Sequence, residues 1–255
     1  MAEIKAVEPV KKIKDAVQKA ARVESEPVPV RRYRAVFFRL VLVLFAIGFA
    51  VLTFLVVTTP SFEIDLQITQ AIQYIRFPFF AELMILVSWP GFSPQTVIIT
   101  GLLILLIYGL GLHWEAVMAL IASFLSTGIN ILVKDLIQRP RPAAGPVNVI
   151  DVLNSYSFPS GHVMFYLSFF GFIGFLAYSL MKPSLKRSLL LALFGGLIVL
   201  IGASRIYLGQ HWASDVLGAY LLGSLTLVVI IQIYLWGKTR FFVHQPVAAA
   251  EPQKA

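Results

Sequence analysis

The sequence of 255 residues contains no cysteine and few charged side chains. Without cysteine, the chain can form neither a disulfide framework nor a thiolate metal site. Charged residues make up 13% of the chain, whereas soluble domains carry about a quarter. Acidic residues are the scarcer sign, with 13 Asp and Glu against 21 Lys and Arg. This composition indicates a membrane protein, in which the net charge of +8 sets orientation, and no nucleic-acid partner is expected.

Hydrophobic residues make up 58% of the chain and form long runs between residues 36 and 236. A helix that crosses a bilayer needs about 20 predominantly apolar residues. Six stretches reach or approach that length: 40–58, 95–112, 116–133, 163–181, 188–203 and 216–236. The sequence therefore predicts an all-α fold, an integral membrane bundle of six transmembrane helices.

Polar segments flank the predicted bundle and divide the chain into a tail of residues 1–35, a six-span domain of 36–237 and a tail of 238–255. In the first tail, Val10, Ile13 and Val17 recur at helical spacing between lysines. This pattern indicates a basic amphipathic helix on an anionic leaflet, with a disordered solvated tail as the alternative. No apolar stretch comes early enough for a cleaved secretory signal, so we expect 40–58 to be retained as the first span.

One further apolar segment, residues 77–92, is short, contains Glu82 and is bounded by Pro78 and Pro90. We interpret this segment as interfacial or re-entrant rather than as a seventh span.

Basic residues near the ends of the spans predict the orientation of the bundle. They precede the first span and follow the fourth and the sixth: Arg31, Arg32, Arg34, Arg39, Lys182, Lys186, Arg187, Lys238 and Arg240. With six crossings, all of these residues lie inside, and both termini are cytoplasmic in a plasma (inner) membrane. The loop of residues 59–94 lies outside and is acidic on balance.

Three polar clusters interrupt the apolar pattern, at residues 134–142, 159–162 and 204–215. The predicted crossings place all three on the extracytoplasmic face, where they can converge. Four cations lie at this boundary: Lys134, Arg139, Arg141 and Arg205. Cations there are costly without a partner, and a phosphate matches arginine forks and a lysine charge. Contact with phospholipid headgroups is the alternative.

The other two clusters add groups that suit an anion and a reaction. Ser160 and Gly161 offer a hydroxyl and backbone N–H groups at the opening of a helix, although Ser160 could be a plain N-cap and His162 an interfacial side chain. His211 and Asp215 are four residues apart, which places them on one face of a helix. The carboxylate can then orient the imidazole, as in a catalytic triad; a structural His–Asp pair is the alternative.

Taken in order, K-x6-RP, PSGH and SR-x5-H-x3-D resemble the tripartite signature of the type 2 phosphatidic acid phosphatase superfamily. The matching positions are Lys134, Arg141, Pro142, Pro159, Ser160, Gly161, His162, Ser204, Arg205, His211 and Asp215. The resemblance covers roughly residues 60 to 236, and the short run between Pro142 and Pro159 looks like the compact bacterial members.

This resemblance implies metal-independent hydrolysis of a phosphomonoester or pyrophosphate through a phosphohistidine, with no cofactor. By analogy, His211 attacks phosphorus, Asp215 orients it, and His162 protonates the leaving oxygen. The resemblance also implies the groups that hold the phosphoryl oxygens: Lys134, Arg141, Arg205, Ser160 and the Gly161 amide. Two histidines could instead suggest a metal site, but no further ligand stands at a suitable spacing and the cations would repel a metal.

The remaining expectations concern the cluster rim, the groove and the substrate. Arg139 matches no position of the signature, and we interpret it as a rim residue with Asp135 as its partner. Small and polar residues in the third and fourth spans permit either close helix packing or a groove for a lipid tail: Ser123, Ser126, Thr127, Gly128, Asn130, Gly171 and Gly174. The expected partners are membrane lipids and a lipid phosphate, with a polyprenyl pyrophosphate favoured over phosphatidylglycerol phosphate and phosphatidate.

Two other functions fit parts of the pattern. A non-catalytic lipid-binding or transporter protein would use the cations as a headgroup clamp, but a clamp needs no general acid. A vanadate-dependent haloperoxidase would have a similar site, but the six apolar spans disfavour a soluble enzyme of that kind.

Overall fold

The computed structural model describes residues 28–59, 61–143, 145–150 and 153–242. Within these ranges the regular structure is helical and contains no β-strand. The helices are α1 (Val28–Thr58), α2 (Glu63–Gln73), α3 (Phe80–Ser88), α4 (Gln95–Gly109), α5 (His113–Ile137), α6 (Gly161–Leu180), α7 (Leu185–Tyr207) and α8 (Ala213–Phe242). The all-α prediction is therefore confirmed.

Five of these helices are long and apolar enough to cross a membrane: α1 from Ala35, α5, α6, α7 and α8 up to Phe241. Helix α4 has 15 residues and meets the requirement only together with α3 and the turn at 89–91. The two form a pair bent by 64°, which has the geometry of a broken span or a re-entrant loop. With this pair taken as one span, the bundle has the predicted six crossings, and segment 77–92 is not an independent span.

The contacts within the chain divide it into residues 1–44 and residues 45–255. The described part of the first unit is the N-terminal portion of α1, and the second unit contains the polar clusters. The predicted amphipathic segment around Val10 to Val17 lies outside the described residues, as does the C-terminal tail beyond Phe242. The division into a 36–237 domain with two tails stays a prediction.

Helix α6 lies at the centre of the second unit and packs against α5, α7 and α8. Its buried side is aromatic, and Phe165 stacks on Phe169 with ring centroids 5.3 Å apart. A β-carbon at Gly171 would lie 2.8 Å from Cδ2 of Leu227, so glycine is what allows α6 and α8 to approach closely. Residues Tyr166–Phe170 form a π-helical segment, and a local widening of this kind often accompanies a functional site.

At one end of the bundle, α5 and α7 finish while α6 and α8 begin. Helix α5 ends at Ile137, and Gln138 takes the left-handed conformation (φ 53°) that ends the helix. Lys134 lies in the last turn of α5 and Arg205 in the last turn of α7. The polar clusters therefore occupy adjacent helix termini, with the apolar length of the helices behind them.

At the opposite end, a buried carboxylate joins the start of α5 to the end of α8. Glu115 accepts hydrogen bonds from the Tyr234 hydroxyl (3.0 Å) and from Lys238 Nζ. The indole of Trp114 donates to the carbonyl of Tyr234 over 3.2 Å. These bonds satisfy a charged group that would be costly to bury without partners.

Candidate active site

Hydrogen bonds to main-chain carbonyl groups connect the three polar clusters. The amide of Ser160 donates to the Asp215 carbonyl over 3.2 Å, and the amide of Ser157 donates to the Arg139 carbonyl over 2.8 Å. The guanidinium of Arg141 donates to the Gln210 carbonyl over 2.5 Å. Segments that are up to 69 residues apart in the chain, from Arg141 to Gln210, are thus brought together, as their predicted positions on one face require.

His211 and Asp215 form the pair that their spacing predicts. His211 Nδ1 lies 3.4 Å from Asp215 Oδ2, and both side chains are almost fully buried. The two residues are not within a single helix, because His211 lies in the turn before α8 and Asp215 in its first turn. Asp215 Oδ2 also accepts from the Trp212 amide (2.9 Å) and from the Ser157 hydroxyl. These bonds fix the plane of the carboxylate that faces the imidazole.

The other imidazole nitrogen of His211 faces a cation. Nε2 lies 3.1 Å from Nη1 of Arg141, and a guanidinium can only donate, so Nε2 is the acceptor and carries its lone pair. Burial first, and then the positive charges of Arg141, Lys134 and Arg205, hold the pKa of His211 well below its usual 6.5. At neutral pH the side chain is therefore a neutral imidazole, with its one N–H at Nδ1 towards Asp215 and its lone pair at Nε2.

Lys134 and Arg141 converge on a short loop that precedes the PSGH cluster. Arg141 Nε donates to the Ser155 carbonyl over 2.7 Å, and Nη2 donates to the Ser155 hydroxyl over 2.9 Å. Lys134 Nζ donates to the carbonyls of Tyr156 and Ser157. Both cations line a cavity of about 650 Å³ with Asn154 and Ser155, which gives an anion access to them.

His162 and Arg205 share an aromatic neighbour that the sequence analysis did not identify. The Phe92 ring meets the His162 ring edge-on at 4.6 Å, and the Arg205 guanidinium lies 5.0 Å from the Phe92 centroid. Arg205 Nη1 also donates to the Ser88 hydroxyl over 2.5 Å. The turn after α3 therefore covers the PSGH histidine and the arginine of the third cluster. The only signal in the sequence is the Pro/Gly-rich turn WPGFSP.

Ser160 and Gly161 begin α6 without a side-chain cap. Ser160 is fully buried, and its hydroxyl bonds to nothing within the described ranges, so the N-cap interpretation is not supported. A β-carbon at Gly161 would lie 3.0 Å from Asn130 Oδ1, and Asn130 Nδ2 donates to the Pro159 carbonyl over 3.0 Å. Asn130 thus supports the PSGH turn from α5, a role that its place in an apolar span did not suggest.

A second cavity of about 560 Å³ extends from His162 along α4 and α5, and its lining is mainly apolar. Of the small residues singled out in the sequence, Ser123, Thr127 and Asn130 line this cavity. Ser126 is buried, and Gly171 serves helix packing instead. Of the small and polar residues of the third and fourth spans, some therefore line a groove and others allow close helix packing.

The interpretation of Arg139 as a rim residue is wrong. Its side chain is completely buried, whereas Asp135 is exposed. Arg139 Nη1 lies 2.6 Å from Asp215 Oδ1, and Nη2 lies 2.8 Å from Asp65 Oδ2. The prediction failed because the partners are 74 and 76 residues away in the chain, whereas sequence proximity suggested Asp135.

Within the described residues, no group of three or more His, Asp or Glu side chains is placed to hold a metal ion. The predicted site residues are instead arranged as a His–Asp pair, a second histidine and three cations around one end of the bundle.

The long apolar helices define an integral membrane protein, and the described site at one end of its bundle combines two histidines with three cations. The profile of the PAP2 superfamily matches residues 113–238. Phosphatidylglycerophosphatase B of Bacillus subtilis is 31% identical over 172 residues, which cover 65% of this chain and 81% of the relative. The chain belongs to the PAP2 superfamily, and the expectation that it is a phosphatase is confirmed.

Other relatives differ in the substrate that their names give. Human dolichyldiphosphatase 1 is 32% identical over 152 residues, which cover 56% of this chain and 61% of the relative. The crystal structure of a transmembrane PAP2-type phosphatidylglycerolphosphate phosphatase from Bacillus subtilis has a TM-score of 0.68 at 27% identity. The superposed region includes 78% of this protein and 98% of the Bacillus subtilis structure. LpxE of Aquifex aeolicus shares the fold, with a TM-score of 0.55 at 22% identity. The superposed region includes 68% of this protein and 98% of LpxE.

Proposed function

We propose that this protein hydrolyses the phosphate or pyrophosphate of an amphiphilic lipid, without a metal, through a phosphohistidine at His211. The observation that carries the proposal is the position of His211 between Asp215 and Arg141, 3.4 Å and 3.1 Å from its two ring nitrogens. A nitrogen that is unprotonated and faces a cationic cluster suits attack on phosphorus better than a structural role.

In the first step, the lone pair of His211 Nε2 forms a bond to phosphorus while the bond to the leaving oxygen breaks. His162 donates a proton to that oxygen as general acid. Asp215 accepts the hydrogen bond from Nδ1–H and stabilises the positive charge that develops on the imidazole. In the second step, the oxygen of a water molecule bonds to phosphorus while the bond between phosphorus and His211 Nε2 breaks, which releases inorganic phosphate; His162, which lost its proton in the first step, accepts a proton from that water.

The cations account for how such a step is catalysed, because phosphoryl transfer depends mainly on positioning and charge stabilisation. In the proposal, Lys134, Arg141 and Arg205 bind the equatorial oxygens, with the Ser160 hydroxyl and the Gly161 amide as further donors. Arg141 and Arg205 carry planar forks that can bind two oxygens at once. Ser160 is buried and its hydroxyl is not used by any other described group, which is consistent with this role.

Two cavities near the site support the proposed substrate class. One cavity is lined by Lys134 and Arg141, and the other is an apolar cavity that begins at Gly161 and His162. This arrangement suits a polar head beside an apolar tail. We propose a polyprenyl pyrophosphate as the favoured substrate, followed by phosphatidylglycerol phosphate and phosphatidate; the names of dolichyldiphosphatase 1 and phosphatidylglycerophosphatase B indicate lipids of the first two kinds.

The proposed orientation places the site on the extracytoplasmic face of the plasma (inner) membrane, with both termini in the cytoplasm. Its support is the excess of Lys and Arg before the first span and after the fourth and sixth. Tyr156 is exposed beside the site, and a cysteine introduced there would be the only one in this sequence. If the orientation is correct, a thiol reagent that does not cross membranes would label Tyr156→Cys in intact cells. Labelling only after lysis would contradict it.

The function is tested with the purified full-length protein in detergent, supplied with undecaprenyl pyrophosphate, phosphatidylglycerol phosphate and phosphatidate in the presence of EDTA. We expect phosphate release that vanadate inhibits and that His211→Ala reduces to background. His113→Ala is the matched control, because His113 is exposed at the other end of α5. Full turnover by His211→Ala, or release only after a metal is added, would contradict the proposal.

A further inference from the structure

Beyond the residues of the signature, a buried carboxylate and an arginine lie directly behind the His–Asp pair. We propose that Asp65 and Arg139 are positioning residues that hold the Asp215 carboxylate in the orientation His211 requires. This inference rests on the proposed function, because it assigns a role relative to the proposed nucleophile. Neither residue is a fixed position of the three motifs, and Asp65 lies in the acidic loop of residues 59–94.

The contacts form a continuous chain from α2 to the imidazole. Arg139 bridges two carboxylates, with Nη1 2.6 Å from Asp215 Oδ1 and Nη2 2.8 Å from Asp65 Oδ2. The side chains of Arg139 and Asp215 are fully buried and that of Asp65 is 2% exposed. Two ion pairs with this burial and these short distances restrict the guanidinium to one arrangement.

Asp65 also fixes the backbone from which Asp215 projects. Its Oδ1 accepts from the Ser214 amide over 2.8 Å, and its Oδ2 accepts from the Ser214 hydroxyl over 2.5 Å. Ser214 is the second residue of α8 and the immediate neighbour of Asp215. A carboxylate is favourable there because the first N–H groups of a helix lack partners within the helix. Asp65 therefore acts on both the side chain and the main chain next to the proposed orienting residue.

The two carboxylate oxygens of Asp215 have different partners, and this is how Arg139 affects the reaction. Oδ1 is occupied by Arg139, so Oδ2 is the oxygen that faces His211 Nδ1. Rotation of the carboxylate would break the bond to Arg139 together with those from Ser157 and Trp212. Asp65 and Arg139 thereby hold Asp215 in place when positive charge develops on the imidazole of His211, as hydrogen-bonding partners do for the ligands of metal centres.

The charges also favour a positioning role over a second binding site. Arg139 carries one positive charge between two carboxylates, so its charge is already balanced within the protein. The hydrogen bonds of Lys134 and Arg141, by contrast, go to uncharged loop groups. We therefore expect the loss of Asp65 to reduce turnover while leaving the affinity for a phosphate-like anion almost unchanged.

The experiment measures kcat, KM and the inhibition constant of orthovanadate for the purified full-length protein in detergent. The variant is Asp65→Asn, which is close in shape and can still accept from the Ser214 amide. We expect kcat to fall about 10- to 100-fold, the effect typical of outer-shell partners, with KM and the vanadate constant within about threefold. Asp65→Glu should recover part of the loss. Glu63→Gln is the matched control, since Glu63 is an exposed carboxylate of the same helix.

Two results would overturn the inference while leaving the proposed function intact. One is a kcat within about threefold of the parent protein. The other is a parallel loss of turnover and vanadate affinity, which would indicate a structural role only. If Asp65→Asn does not fold, Ser214→Ala supplies the test, because it removes the hydroxyl that bonds to both Asp65 and Arg139 and keeps the two ion pairs; the same split between kcat and vanadate affinity is then expected. The proposed function fails separately, through an active His211→Ala.

Discussion

A β-carbon added at Gly91 would lie 2.1 Å from Cδ2 of His162. This distance means that the turn after α3 rests on the imidazole so closely that only a glycine fits without displacing one of them. Phe92, the next residue, touches the same ring edge-on. The position of the proposed general acid is therefore determined by a turn that lies 71 residues earlier in the chain.

The first prediction follows from this contact. In Gly91→Ala, either His162 or the turn has to move by more than an ångström, so we expect kcat to fall by about 100-fold, as a small misplacement of a catalytic group can cause. Gly109→Ala is the control, because nothing lies within 4 Å of a β-carbon there. The measurement is lipid phosphatase turnover at saturating substrate, and equal rates for the two variants would contradict the prediction.

Arg141 provides a second prediction, because its fork makes contacts that an ammonium cannot make. It donates to Ser155, to Gln210 and towards His211 from three different nitrogens. We expect Arg141→Lys to keep the charge but lose the geometry, which lowers kcat/KM by about 100-fold. Arg76→Lys, at an exposed position outside the site, should have no effect. A kcat/KM of Arg141→Lys within about threefold of the parent would show that the charge alone suffices.

The third prediction concerns pH. Burial and three neighbouring cations lower the pKa of His211 well below 6.5. A lowered pKa keeps the nucleophile unprotonated at neutral pH, so on the acid side activity is lost as pH falls through the pKa of His211. The acid limb of kcat/KM, which reports the free enzyme, should therefore lie clearly below pH 6.5. A limb at or above pH 6.5 would show that the nucleophile titrates like an ordinary histidine.

The fourth prediction separates stability from activity. Lys238→Met removes the cation bonded to buried Glu115 at the end of the bundle opposite the site. Because the lysine side chain is 37% exposed and screened by solvent, we expect a loss of about 1 kcal/mol in unfolding free energy. Thermal unfolding in detergent should show a lower midpoint with unchanged kcat. A change in kcat at an unchanged midpoint would contradict this separation.

The sequence predicted the membrane bundle and the meeting of its three motifs because both depend on local signals. Apolar runs indicate the membrane spans, and two loops lie on the same face of the membrane when an even number of crossings separates them. His211 and Asp215 come together over four residues, so their spacing alone suggested the pair, although the histidine lies before the helix.

The supporting residues could not be predicted in this way, because each acts across a long separation in the chain. Arg139 was assigned to Asp135, its neighbour in sequence, although its partners are Asp65 and Asp215. Ser88 and Phe92 reach Arg205 from 117 and 113 residues away. Nothing in the composition of these segments shows that a turn or a short outer helix folds back over the site; that follows only from tertiary packing.

In the proposed reaction, His211 carries the phosphoryl group during turnover. This role is tested most directly by acid-free rapid quench of the protein with a ³²P-labelled lipid phosphate, followed by mapping of the labelled peptide. We expect an alkali-stable, acid-labile phosphohistidine at residue 211 that forms at least as fast as phosphate is released and is absent from His211→Ala. Turnover at the normal rate with no label on the protein, or with the label on another residue, would contradict it.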